Sequence, residues 1–74
     1  MKKNYTFTFK TLTIKVTSFK NYDTMMEVRF RATDNSTNEN GLATVYIERN
    51  DNEEIEIKNF ENEVKDFFND YFNK

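Results

Sequence analysis

Tyr5, Phe7 and Phe9 alternate with Thr6 and Thr8, and beyond Lys10 and Thr11 the apolar positions Leu12, Ile14 and Val16 alternate with Thr and Lys in the opposite phase. Strand side chains point to alternate faces, so one extra residue at Lys10–Thr11 moves the apolar set to the other face, as a β-bulge does. The pattern predicts a long bulged strand over residues 5–19, with two short strands as the alternative. Met26, Val28, Phe30 and Ala32 alternate with Glu27, Arg29 and Arg31, predicting a half-buried strand over residues 24–33. Ala43, Val45 and Ile47 do the same over residues 42–49, and Ile55 and Ile57 between Glu54, Glu56 and Lys58 predict a short strand over residues 54–58.

From residue 60 the period changes. Phe60, Val64, Phe67 and Tyr71 fall in one narrow stripe at helical spacing, flanked by Phe68 and Phe72. A helix over residues 60–73 follows, with Asn59 as N-cap, Glu61 and Glu63 in its first turn and Lys74 at its far end. The loops between strands are short, which favours a meander over parallel crossovers. The expected fold is α+β over residues 1–74 as a single domain: a four-stranded antiparallel meander with one C-terminal helix packed on one face.

Composition narrows the chemistry. The chain has 74 residues without Cys or His, which removes disulfides, thiolate nucleophiles, imidazole bases and the usual zinc ligands. Eight Phe and four Tyr supply a core of few but large side chains. A carboxylate enzyme needs two acids held in a cleft with divergent pKa values, for which so short a chain has little room. No catalytic residue, cofactor or metal ligand is therefore assigned. Residues 34–41 alternate oxygen-bearing side chains, but a calcium loop needs Gly where Glu39 stands and a bidentate acid where Val45 stands. No apolar run approaches a membrane span, and the expected location is cytoplasmic.

Charge is uneven along the chain. Residues 1–38 carry seven basic and three acidic side chains, residues 39–74 four basic and ten acidic. Two surfaces follow. The first is acidic: Asp51, Glu53, Glu54, Glu63, Asp66 and Asp70 suit a basic partner protein, because spaced carboxylates stand in for phosphates. Asp66 and Asp70 form an i, i+4 like-charge pair that opposes helix formation by about 0.2 to 0.5 kcal/mol. The second is the sheet face away from the helix, where Lys15, Arg29, Arg31 and Tyr46 suit single-stranded nucleic acid through phosphate contacts and stacking. Glu27 and Glu48 on that face are expected opposite Arg and Lys, so cross-strand pairing accounts for those charges equally well. Phe19, Tyr22, Phe68 and Phe72 are candidate partner anchors, with cover for the sheet edges as the plainer role. A homodimer through a sheet edge or these phenylalanines is a further arrangement the pattern allows.

The run Leu12-Thr13-Ile14-Lys15-Val16, the strands around Val28-Arg29-Phe30 and Val45-Tyr46-Ile47, and the helix with Glu63-Val64-Lys65-Asp66-Phe67-Phe68 resemble the arrangement of small anti-CRISPR proteins. The Lys-, Asn- and Phe-rich composition is likewise similar to products of phages or mobile elements from AT-rich bacteria. The resemblance implies a non-catalytic inhibitor acting in the cytoplasm of an infected or lysogenic bacterial host. Its acidic surface would mimic DNA at the basic site of a host defence protein such as a CRISPR effector. It implies no direct nucleic-acid binding and no membrane association.

Overall fold

The computed structural model describes residues 1–72; Lys74, expected at the helix end, and residue 73 lie outside them. Four strands, β1 (Thr6–Phe9), β2 (Leu12–Asn21), β3 (Met25–Asp34) and β4 (Asn40–Glu48), form one antiparallel sheet in the order β1-β2-β3-β4. Two helices follow, α1 (Glu53–Phe67) and the short α2 (Asn69–Phe72). The α+β meander with a C-terminal helix on one face is thus present, but its elements are drawn differently from the expected ones.

The long strand over residues 5–19 is a hairpin, the alternative of two strands. Lys10 takes φ 54°, the positive value that the first central residue of a two-residue hairpin turn adopts. Phe7 faces Ile14 and Phe9 faces Leu12. Pairing odd positions with even ones requires the phase reversal seen in the sequence, so that reversal marks a turn and not a bulge. The bulge lies at Thr17, between the pairs Val16 with Phe30 and Ser18 with Arg29.

The strand expected over residues 54–58 is the start of α1. Asn52, not Asn59, is the N-cap: its side chain accepts from the N–H groups of Glu54 at 2.9 Å and Ile55 at 3.4 Å. Glu53, Glu54 and Glu56 then fill the first turn, where the helix dipole favours carboxylates. Glu56 extends the Phe60 and Val64 stripe back by one i, i+4 step, and all three are buried. The alternation of Ile55 and Ile57 misleads, for Ile55 is exposed.

The helix expected over residues 60–73 also breaks. Phe68 caps α1 with non-helical ψ 4°, and Asp66 and Asp70 fall in different helices. They are therefore not an i, i+4 pair of one helix, and Phe72 reaches the hairpin end, its ring centroid 5.5 Å from that of Phe9. The break leaves Phe67 and Tyr71 more exposed than the stripe implied, whereas Phe68 and Phe72 pack against the core.

That core lies between one sheet face and α1: Leu12, Ile14, Val16, Met26, Val28, Phe30, Val45 and Ile47 from the sheet, Phe60 and Val64 from the helix. Phe60 is fully buried, packed edge to face with Phe7 and Phe30 at ring-centroid separations of 5.9 Å and 5.8 Å. No helix among the described residues is long and apolar enough to cross a membrane.

Candidate functional site

Packing α1 on one face of the sheet leaves the other face without a layer over it, and the register fixes what it presents. Row by row across the strands stand Thr8, Thr13, Thr33 and Asn40; Thr6, Lys15, Arg31 and Leu42; Ser18, Arg29 and Thr44; Lys20, Glu27 and Tyr46. All four sequence-nominated residues, Lys15, Arg29, Arg31 and Tyr46, share this face. Glu27 lies opposite Lys20 as pairing predicts, and its carboxylate accepts from the Tyr46 hydroxyl at 3.1 Å and lies 3.8 Å from Arg29 Nε. The hydrogen bond to Glu27 raises the Tyr46 pKa above the ordinary phenol value. Glu48 departs from the expectation, because its cross-strand neighbour is Met25 and not a cation.

One half of the face is therefore internally paired and the other is not. Lys15 and Arg31 stand directly opposite each other, with no carboxylate within ion-pair distance of either among the described residues. The Arg31 guanidinium donates to the Asn40 side-chain oxygen, which leaves its charge uncompensated. Like charges directly opposed on a sheet are destabilising.

The helix layer carries the opposite sign. From Asp51 to Phe72 there are eight carboxylates and two lysines. Asp51, Glu54, Glu63, Asp66 and Asp70 are all exposed and have no ion pair among the described residues, while Glu53 lies 4.0 Å from the Met1 ammonium. These six do not form one uninterrupted patch. At 3.6 residues per turn Asp66 lies about 60° around the helix from Glu63 and about 120° from Glu54, with Lys58 and Lys65 in the wider interval. Glu63 shares a shallow cleft with Glu48 at the β4 side. Asp51, Glu53 and Glu54 lie at the helix start, where Arg49 donates to the carbonyls of Tyr22 at 3.3 Å and Asp23 at 3.2 Å. Roughly 20 Å of helix separates Glu53 from Asp66.

Sequence reasoning missed three polar contacts that hold these surfaces in place. Glu56 is 6% exposed and accepts from the Met1 ammonium at 2.8 Å and the Asn50 N–H at 3.1 Å. Burial pushes its carboxyl up, but those donors outweigh it and hold the pKa below the ordinary carboxylate range. Asp34, at the end of β3, accepts from the Ser36 hydroxyl at 2.6 Å, the Tyr71 hydroxyl at 2.6 Å and the Ser36 N–H at 3.0 Å, and its pKa is lowered to about 2. Tyr5 donates to Glu61 across the layers, and burial together with that carboxylate pushes its phenol up to about 12. The Asp34-x-Ser36 spacing is an Asx-turn signal, and Glu56 lies one helical step before Phe60, so two of the three had a sequence signature.

Among the described residues no group of three or more acidic side chains is placed to hold a metal ion. No protein-family model matches the chain, and neither a curated protein nor a solved structure does.

Proposed function

We propose that this chain is a non-catalytic binding protein that docks its acidic helix layer onto the basic, nucleic-acid-binding surface of a partner, as one group of the small anti-CRISPR inhibitors it resembles does. The observation that supports this reading is the segregation of charge between layers. Eight carboxylates against two lysines lie on the helix side of residues 51–72, and four cations against two carboxylates, Glu27 and Glu48, project from the uncovered sheet face. Folding thus converts an asymmetry along the chain into one between the two sides of the molecule. Exposed, unpaired carboxylates steer a basic partner and keep their charge for it.

The test is capture from a bacterial lysate containing defence systems on immobilised protein, compared with the double variant Glu63→Lys with Asp66→Lys. The bound partner is expected to be a nucleic-acid-binding protein that the variant fails to retain and that competing DNA releases. Retention by the variant, or a captured partner indifferent to DNA and to about 0.5 M salt, where charge is strongly screened, would reject the acidic-layer reading.

A second reading is favoured by the opposed Lys15 and Arg31. An anion bridging the pair would relieve their repulsion, and the surrounding Thr hydroxyls suit phosphate oxygens. The face would then bind single-stranded nucleic acid. A gel shift with a labelled oligonucleotide separates the two, because the first reading predicts no shift by the protein alone.

A further inference from the structure

β4 is an edge strand whose outer side is unpaired. Its last and first bonds to β3 fix which groups face outward: Asp34 N–H donates to Glu39 O at 2.8 Å and Arg49 N–H to Thr24 O at 3.0 Å. In an antiparallel ladder the bonded positions alternate, so Gly41, Ala43, Val45 and Ile47 turn their backbone groups to β3. Leu42, Thr44, Tyr46 and Glu48 turn theirs outward, and no described residue bonds them. Among the described residues this edge carries no Pro, Lys, bulge or covering loop; its one charged side chain, Glu48, stands at its end, α1 packs on its inner face, and the bulge of the sheet lies on β2.

We infer that the free edge of β4 pairs with β4 of a second copy, antiparallel and centred on Thr44, to give a continuous eight-stranded sheet. In that register Thr44 faces Thr44, Leu42 faces Tyr46, and Asn40 faces Glu48 of the other copy. Every outward N–H and C=O from Leu42 to Tyr46 then finds a partner. The side-chain pairs on the uncovered face are of the stabilising kinds, aliphatic on aromatic and hydroxyl on hydroxyl, and no like charges meet. Leu42 at 67% and Tyr46 at 55% exposure are the large apolar side chains this ladder covers.

The helix-side face agrees. Gly41, the chain's single glycine, has no positive φ, and a Cβ there would meet nothing within 4 Å. Neither backbone conformation nor packing within one copy calls for it. It borders a shallow apolar groove with Leu12, Ala32, Ala43 and the exposed Phe67. The two-fold axis sets Gly41 opposite Ile47 of the other copy, whose side chain stays in its own core, so the missing Cβ leaves room for the two helix-side faces to approach. Glu63 lines the cleft beside Ile47 and Glu48 of its own copy, so the two Glu63 carboxylates lie about 20 Å apart along the strands and do not oppose assembly.

Sedimentation velocity of the full chain at about 0.1 mM, where a dimer of micromolar affinity is essentially complete, is expected to give twice the 9.0 kDa chain mass. Thr44→Pro removes an outward N–H and leaves the β3 ladder intact; it should sediment as a folded monomer. Thr44→Lys and Thr44→Glu, each repelling itself across the axis, should weaken association at least tenfold separately and restore the dimer when mixed. Thr44→Cys, in a chain without other cysteines, should be joined into a covalent dimer by a short bifunctional thiol reagent, since the paired Cα atoms would lie about 5.5 Å apart. A monomeric wild type, a dimer indifferent to all three charge and proline variants, or a Thr44→Cys that the reagent leaves monomeric would overturn the inference. The charge-mixing experiment decides the matter if Thr44→Pro fails to fold.

Discussion

Replacing Lys15 tests whether the uncovered face is held at a cost to stability. Lys15 and Arg31 are direct cross-strand partners, and the bonded pair Thr11 with Asn35 places them at a hydrogen-bonded site of the ladder, where Cα atoms are about 5.5 Å apart. Their long side chains splay, so the charges lie on the order of 7 Å apart, and Coulomb's law in water gives about 0.6 kcal/mol of repulsion. Lys15→Gln removes that term, and Lys15→Glu replaces it with an attraction of similar size, a total swing of about 1.2 kcal/mol. In a domain of 60 to 100 residues each kcal/mol moves Tm by about 4 to 8 °C. At low ionic strength Lys15→Gln should therefore melt about 2 to 5 °C above the wild type and Lys15→Glu about 5 to 10 °C above it.

Circular dichroism melts measure this directly, and salt supplies the control. The Debye length falls to about 3 Å at 1 M salt, so the three melting points should converge there. A fall in Tm for both variants at low salt, or a gain that survives 1 M salt, would refute the electrostatic argument. If the gain is seen, the native pair sacrifices stability, and positions that do so are those where function competes with folding. The same substitutions then show which function: loss of an oligonucleotide shift would assign the face to nucleic acid, and an unchanged partner complex would leave binding to the helix layer.

Asp34 makes stability depend on acid. Its folded pKa of about 2 lies below the ordinary value of 3.8 because the Ser36 and Tyr71 hydroxyls and the Ser36 N–H bond the charged form. Its contribution is therefore full above about pH 4 and is lost as pH falls through about 2. Tyr71→Phe should move the Asp34 titration, followed by carboxyl NMR, upward toward 3.8, and an unmoved titration would mean that Tyr71 does not reach it. Asn52→Ala should cost about 1 kcal/mol in denaturant unfolding as the loss of an N-cap, and Asn59→Ala, within the helix, should cost less; the reverse order would restore the later helix start. Phe60→Ala, which opens a cavity beside the rings of Phe7 and Phe30, should cost about 3 to 5 kcal/mol, and a loss below 1 kcal/mol would mean that Phe60 is not central to the core.

The strands and the covered face were legible because they depend on period two, and burial enforces that period: Met26, Val28 and Phe30 could face only inward. What the pattern could not resolve was which of two physical devices reverses a phase. A bulge and a two-residue hairpin both shift alternation by one, and Lys10-Thr11 lacks the Asn or Gly that usually announces the turn. Residues 54–58 failed for a related reason. Five residues are too few to separate period two from period 3.6, so capping decided: Asn52, with three acids behind it, outbids Asn59. The acidic set was readable as a composition but not as a patch, since its placement around α1 depends on where the helix starts and ends.

Those same boundaries generate the electrostatics. Beginning α1 at Glu53 instead of after Asn59 moves Glu54 and Glu56 from the strand expected over residues 54–58, on the sheet face that carries Arg29 and Arg31, to the opposite layer. Had residues 54–58 formed the outer strand, Glu54, Glu56 and Lys58 would have projected alternately with the isoleucines and supplied carboxylates to the cations of the uncovered face. The helical start withholds them. Lys15 and Arg31 remain uncompensated, β4 remains the edge, and Glu56 becomes a buried acceptor that ties the start of α1 to the loop at Asn50. One capping choice thus produces the bare basic face, the acidic layer and the open strand edge together.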